Sequence, residues 1–469
     1  MNILEKIDMI EDMPLNESGI RDIKKLRKEF DKAEIYFHID LDGVTSAIGM
    51  KYYLENSGFK VIDAHKIQYG STEYAIPKGQ KGVMKVLVDF AHGKPLFSIH
   101  TDHHDSQAGV GADASTAFKH APSNAGMISG EISPKDLFPP KDLEIINTVD
   151  SAGFAKLGLS PDDIINATFN VNKNIPVAKN HMMMGLVVNK LLLSYKNKPE
   201  FLETLVMKSK PSLISMFNII KKLAVEHGYK TPEQINTDSA AYQGKQSEKV
   251  LKDGKLSDVK KLKNGQSVKI GNLLVQYGGG YMGAKNQYDR YTPFKLNPDI
   301  SYFSIAWAVG LVQLSMNPFK KAEKDLHLGD IVMKKVMPKF KSVLSKEISL
   351  ADVKRIFEMD ITKKKLENRV GFTFDDLMAL FEGKLKNLPD TGNYRKMIAD
   401  ITNKPFNKLN KKQKAIIEKV KISVWDIVMS SSGGHKAITN IAGVNFMGKG
   451  YASILHDIQY EIAKEMQKH

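Results

Sequence analysis

Apolar positions alternate between helical and strand spacing through the first third of the chain. Ile20, Ile23, Leu26 and Phe30 fall three or four residues apart within IRDIKKLRKEF, which predicts an amphipathic helix. AEIYFHI (33–39) then reads as a buried strand, closed by a predicted turn at DLDG. TSAIGMKYYLENSG (45–58) returns to helical spacing and stops at Gly58. KVIDAHKIQ (60–68), KVLVDF (85–90) and PLFSIHT (95–101) are short β-rich runs separated by turns containing Gly and Pro. KDLEIINTVDSAGF (141–154) is helical and carries Asp150 near its end. Strands alternating with helices predict an α/β fold built on a largely parallel sheet.

From 178 to 228 the pattern is helical, and Met182, Met183, Met184, Leu186, Val187 and Val188 read as core packing. VKIGNLLVQYGGG (268–280) and ISYFSIAWAVGLVQLSM (300–316) form a second β-rich region. Residues 320–421 turn helical and lysine-rich, and the chain ends in a predicted helix with Tyr451, Ile454, Leu455, Ile458 and Ile462 on one face.

With 469 residues the chain exceeds one compact core, so two or three domains are expected. Cysteine is absent, which excludes disulfides and thiolate metal sites; any metal must be held by His, Asp and Glu. No apolar run has membrane-spanning length, and MNILEKIDMIED lacks the basic-then-apolar pattern of a signal peptide, so a cytoplasmic location is expected. The net charge of +15 is unevenly spread. Residues 1–150 hold 17 basic against 23 acidic side chains, a balance of −6, and the remainder holds 51 against 30, a balance of +21. An acidic first third beside a basic remainder suits a cation-holding part next to a polyanion-holding part.

Four short motifs carry candidate chemistry: His38-Ile-Asp40-Leu-Asp42-Gly43 after the first strand, Asp89 at the end of KVLVDF, Asp102-His103-His104 after PLFSIHT, and Asp150. In an extended segment alternate side chains point the same way, so His38, Asp40 and Asp42 are expected to converge, with Gly43 permitting a sharp turn. Three successive strands thus deliver carboxylate or imidazole at the carboxyl edge, where open α/β sheets place ligands. Unpaired carboxylates so close would repel one another, and a divalent cation removes that cost. Mixed Asp/His ligation suits Mn²⁺ or a similar ion better than Ca²⁺.

HIDLDG, VDF, TDHHDS and TVDSAG together resemble the four motifs of the DHH phosphoesterases, over residues 36–154. The resemblance implies two divalent cations, Mn²⁺ before Mg²⁺. His38, Asp40 and Asp89 would hold one; Asp42, Asp89, His103 and Asp150 would hold the other, with Asp89 bridging. His104 would face the substrate phosphate and Asp102 would orient the histidines. Ser432-Gly433-Gly434-His435 resembles the glycine-rich motif of the associated DHHA1 substrate-binding domain, whose backbone N–H groups approach a phosphate. Many RecJ-type members have Asp where this chain has His38. Where relatives carry an Arg-Ser pair after the second strand of that domain, this chain has Ser315-Met316-Asn317-Pro318, so one phosphate contact would be missing or replaced by Lys320 or Lys321.

The implied organisation is a DHH catalytic domain over 1–177, a helical linker over 178–235, and a smaller α/β DHHA1-like domain from 236–320 and 425–469. A basic helical insertion occupies 321–424, and the active-site cleft lies between the domains. The implied function is a RecJ-like exonuclease that releases nucleotides from single-stranded nucleic acid by two-metal water attack. Tyr277, Tyr281, Tyr288, Tyr291 and Phe294 are candidates to stack on bases. The alternatives are an oligoribonuclease or a phosphodiesterase for cyclic dinucleotides and short oligonucleotides, and, outside enzymes, a nucleic-acid-binding protein with a degenerate metal site. A family II pyrophosphatase would have no use for the basic insertion.

Overall fold

The computed structural model describes residues 23–67, 81–90, 97–103, 116–118, 121–133, 137–165, 177–232, 234–235, 253–278, 291–307, 311–320, 326–341, 438–441 and 452–469. Within it, α1 (Ile23–Glu29) leads into β1 (Lys32–His38), whose side chains divide between two faces. Ala33, Ile35 and Phe37 enter the first core, while Tyr36 packs with Leu87, Phe90 and Phe97 on the other side. β2 (Lys60–Ile67), β3 (Val83–Val88), β4 (Ile99–Asp102) and β5 (Thr116–Phe118) complete a five-stranded sheet in the order β2-β1-β3-β4-β5. Every pairing in it is parallel. β3 is buried along its whole length, as a strand covered on both faces must be.

α2 (Leu41–Asn56) begins four residues before the predicted helix, and DLDG is its first turn rather than a separate one. The cause is Asp40, whose carboxylate accepts the Gly43 backbone N–H at 2.9 Å and caps the helix. Gly43 is therefore helical. Its lack of a side chain serves close approach, because a Cβ there would lie 2.2 Å from the His38 carbonyl oxygen. Gly58 ends the helix region as predicted, at φ +90°.

Beyond the sheet come α3 (Asn124–Met127), a wider π-helical turn (Ile128–Ile132) and α4 (Pro140–Asp150). The predicted helix to 154 stops at Asp150, and a 3₁₀ turn (Phe154–Leu157) and α5 (Pro161–Ile165) follow. The stretch read as helical over 178–228 is three helices, α6 (Val177–Tyr195), α7 (Phe201–Lys208) and α8 (Leu213–Glu226). Pro199 and Pro211 fall in the two breaks, where a ring without an N–H interrupts the ladder. All three helices bury their apolar faces in the same core as β1 and α2, including Leu186, Val187 and Val188. Met184 packs at its margin; the side chains of Met182 and Met183 lie outside the described set.

The second sheet is mixed: β6 (Ser267–Ile270), β7 (Leu273–Tyr277), β8 (Tyr302–Trp307), β9 (Leu311–Met316) and β10 (Ile438–Ile441), in the order β10-β9-β8-β7-β6. β7 and β8 run parallel, and the other strand pairs are antiparallel. A short helix α9 (Thr292–Leu296) precedes β8. The last helix, α10 (Ala452–Met466), lays Leu455, Ile458 and Ile462 on the second core, the face its spacing predicts, with Ile454 at the margin. Of the predicted insertion, residues 326–341 are described, and Leu328, Ile331, Val332, Val336 and Met337 pack into that core. The remainder of 321–424 lies outside the described residues. No helix among the described residues is long and apolar enough to cross a membrane.

Candidate metal centre

The strand order reverses between β1 and β3, since β2 lies to one side of β1 and β4 to the far side of β3. Open α/β sheets form a crevice at such a switch point, outside the carboxyl ends of the strands. Phe37 pairs with Val88 and Val88 with Thr101, so the three strand ends are level. His38, Asp89 and His103 therefore line one edge.

Six side chains form two sets there: His38, Asp40 and Asp89, and Asp42, His103 and Asp150. In each set, ligand-type atoms lie within 4.8 Å of one another. The Asp89 carboxylate reaches both sets. Its Oδ2 is 3.9 Å from His38 Nδ1 and its Oδ1 is 3.5 Å from His103 Nε2. His38 Nδ1 also stands 2.9 Å from Asp40 Oδ2. His103 Nε2 is 3.3 Å from Asp42 Oδ2 and 3.4 Å from Asp150 Oδ2. The first set is partly exposed and the second deeper, with Asp42 and His103 buried.

The backbone pays for this arrangement at two points. Asp89 sits at φ +52°, a left-handed conformation that Asp tolerates better than most residues, and its N–H donates to the Thr101 carbonyl at 2.9 Å. Asp150 ends α4, where a carboxylate faces the negative end of the helix dipole at a cost of about 0.3–1 kcal/mol. Neither placement aids folding.

The surrounding polar groups fix the deeper set. Asp42 accepts the backbone N–H groups of Asn124 (2.7 Å) and Ala125 (2.9 Å), and Ser46 Oγ stands at 3.4 Å. Asn124 is itself buried, its amide donating to Ser46 and Thr101 hydroxyls at 3.0 and 3.2 Å. Ser123 caps this short helix and donates to Asn147 of α4 at 2.6 Å. His103 Nδ1 is 2.9 Å from the Ala121 carbonyl, so Nδ1 carries the proton and Nε2 faces the carboxylates. Asp102, buried, accepts the His103 backbone N–H at 2.8 Å. Ser123, Asn124, Ser46 and Thr101 escaped the sequence reading. The turn-forming run Ser123-Asn124-Ala125-Gly126 marks a helix start, but nothing in it points to Asp42, 82 residues away.

Electrostatics describe a site short of positive charge. Burial and then the Asp42 charge raise the Asp89 carboxyl well above its ordinary value, and burial also raises Asp42. Burial alone would push the His103 imidazole down; the neighbouring Asp89 carboxylate and the charges of Asp42 and Asp150 outweigh that and raise it to about 11. The spacing also bears on a cation. Donors about 2.1 Å from a shared ion stand roughly 3.0–3.5 Å apart. The three contacts of His103 Nε2, at 3.3, 3.5 and 3.4 Å, match that spacing, whereas charge-assisted hydrogen bonds contract to about 2.7–2.9 Å. Oxygen and imidazole donors without thiolate could hold a divalent cation.

No known family profile and no curated protein matches the chain. Among solved structures, it is similar to exonuclease RecJ bound to manganese, at 11% identity over 65% of this chain and 84% of that one, with a TM-score of 0.37. It is similar also to the DHH domain of a member of a family of ribosomal proteins, at 11% identity over 72% of this chain and 89% of that one, TM-score 0.34. The chain is similar to RecJ and DHH-domain structures. RecJ of Thermus thermophilus in complex with Mn²⁺ is a further example, at 12% identity and TM-score 0.32, covering 69% of this chain. The chain spans 51% of that protein's length.

Other sequence candidates fall differently. His104 and Ser432, Gly433, Gly434 and His435 lie outside the described residues, as do Tyr281, Tyr288 and Lys321. Tyr277 and Phe294 are buried in the second half's cores, and Tyr291 packs against Phe154, so their rings serve packing rather than base stacking.

Proposed function

We propose that the chain is a phosphodiester hydrolase of the DHH type that uses two divalent cations, Mn²⁺ before Mg²⁺, and removes nucleotides from single-stranded nucleic acid. One observation carries this reading: two donor sets share the Asp89 carboxylate at the sheet's switch point. Bound there, two cations would polarise the phosphoryl group and supply a water nucleophile at neutral pH. The roles of the chain's own groups follow. Asp89 bridges the sets; His38 and Asp40 complete the outer one, and Asp42, His103 and Asp150 the inner one. Asp102 and the Ala121 carbonyl hold His103 with Nε2 directed inward. His104 takes the substrate phosphate and gives a proton to the leaving oxygen as the phosphorus–oxygen bond breaks. Ser432, Gly433, Gly434 and His435 bind a substrate phosphate.

Single-stranded nucleic acid is favoured over small diesters by the balance of +21 outside residues 1–150, since phosphate neutralisation dominates such affinity. The test offers end-labelled single-stranded DNA, RNA and cyclic dinucleotides to the protein with Mn²⁺ or Mg²⁺. Stepwise release of mononucleotides from long strands, with binding that weakens as salt rises, is expected. Equal binding of long strands and dinucleotides, indifferent to salt, would leave a short-substrate phosphodiesterase. Strand binding without hydrolysis of any substrate would leave a binding protein with a degenerate site.

Cation uptake should also depend on pH. His103 is protonated at neutral pH when no cation is bound, and a ligating imidazole must be neutral. Loading therefore releases at least one proton, and apparent Mn²⁺ affinity should rise about tenfold per pH unit near neutrality. Calorimetric titration in buffers of different ionisation enthalpy measures that proton; an affinity flat from about pH 6 to 8 would contradict the assignment.

A further inference from the structure

Asp150 is the one member of the inner set that is supplied by a helix end rather than by the sheet or its first crossover. What holds that end is not local. Ser151 caps α4, and Ala152 then sits at φ +53°, a conformation strained for a residue with a Cβ. Gly153 N–H returns to the Thr148 carbonyl at 2.9 Å, and Phe154 follows, fully buried in the first core. The next residue leaves this unit for its partner: Ala155 N–H donates to the Pro318 carbonyl at 2.9 Å.

Phe319 stands beside that bond. Its ring stacks on Phe154 with centroids 5.7 Å apart and an interplanar angle of 22°. Tyr291 meets both rings edge-on, at 5.8 and 5.9 Å. Phe319 packs against the first core and also against the small cluster of Leu274, Phe294, Ile300 and Phe303 on the second sheet. It thus belongs to both halves. Lys295 of α9 adds an ion pair with Asp162 of α5, 2.5 Å apart.

We propose that Phe319, in the turn after β9, is a positioning residue for the metal centre: it clamps Phe154 and so fixes the α4 end that presents Asp150. The second sheet thereby completes the inner set, although none of its described residues belongs to that set. The clamp acts on one set only, because His38, Asp40 and Asp89 come from β1, the α2 cap and the end of β3. The inference rests on the metal-binding reading above.

The test is Mn²⁺ titration of the full chain by calorimetry and electron paramagnetic resonance, without substrate. Phe319→Leu keeps an apolar side chain and removes the stacked ring; Phe319→Ala removes both; Phe319→Tyr retains the ring. Val332→Ala, buried in the second core and outside the clusters that Phe319 packs against, controls for general loosening. We expect the wild type to bind two ions, and Phe319→Leu to weaken one of them by about tenfold or more while leaving the other within about twofold. Asp150→Asn should weaken the same ion, and Phe319→Tyr should bind like the wild type. Wild-type titrations from Phe319→Leu would overturn the clamp and leave the metal centre standing. An equal loss in Val332→Ala would overturn it too, by showing that loosening alone suffices. A wild type that binds no Mn²⁺ would overturn the metal reading beneath it. If Phe319→Ala does not fold, Phe319→Leu and Phe319→Tyr still decide the matter.

Discussion

Asp89→Asn should lower hydrolysis by about a thousandfold or more, which corresponds to about 4 kcal/mol of barrier. The substitution keeps the side chain's shape and tolerates the left-handed backbone at φ +52°. It removes the carboxylate that reaches both His38 and His103, so neither set retains its full complement. Stability should move the opposite way. The folded pKa of Asp89 lies above its unfolded value near about 3.9, so between those values the folded state holds the extra proton. Stability therefore falls as pH rises through that window, and the carboxylate costs stability at pH values above its unfolded pKa. The metal-free variant should accordingly melt above the metal-free wild type. Added Mn²⁺ should reverse the order, since ligand at roughly a hundredfold its dissociation constant stabilises the wild type by about 2.7 kcal/mol. Thermal unfolding with and without Mn²⁺ reads both signs. A metal-free variant less stable than the wild type would mean that Asp89 is a structural residue.

That opposition of function and stability explains what the sequence made legible. The carboxylates and imidazoles stood out because most of them follow closely on apolar strands, where a solvated or packed residue would serve folding better. Their order along the chain, and the strand context of all but Asp150, which ends a helix, singled out the six that lie at one edge. The sheet itself was legible for the same reason, since a buried parallel strand must be almost wholly apolar, as β3 is. The cradle of Asp42 was not legible. It consists of backbone N–H groups on Asn124 and Ala125, and any residue but proline supplies those. Its buried hydroxyls and amide are residue types equally common in exposed turns. The three helices that follow were legible as helical and apolar, but spacing alone does not say whether such helices bridge domains or join a core. Leu191, Leu205 and Leu223 belong to the same core as Phe37.

Gly43 separates a motif that merely contains the right donors from one that places them, and Gly43→Ala should abolish both metal sets at once. As a turn residue, the role its sequence context suggested, it would accept alanine at a modest cost. In the structure an added Cβ would lie 2.2 Å from the His38 carbonyl oxygen, 2.6 Å from its carbon and 2.7 Å from the His38 Cβ. None of these atoms is the end of a flexible side chain, so relief requires β1 and α2 to separate. The same junction holds three donors: His38 ends the strand, Asp40 caps the helix through the Gly43 N–H, and Asp42 lies in its first turn. Moving it also draws Asp42 from the N–H groups of Asn124 and Ala125. We expect about 3 kcal/mol of destabilisation, at the upper end for a single added carbon in a tight contact. Denaturant unfolding would measure it, and Mn²⁺ titration at temperatures where the variant remains folded should find neither ion bound tightly. Asp40→Asn, which takes one donor from the outer set and leaves the junction's shape, should by contrast retain the inner ion. Wild-type Mn²⁺ stoichiometry in Gly43→Ala would show that strand and helix do not meet closely at this point, and the placement of all three donors would have to be revised.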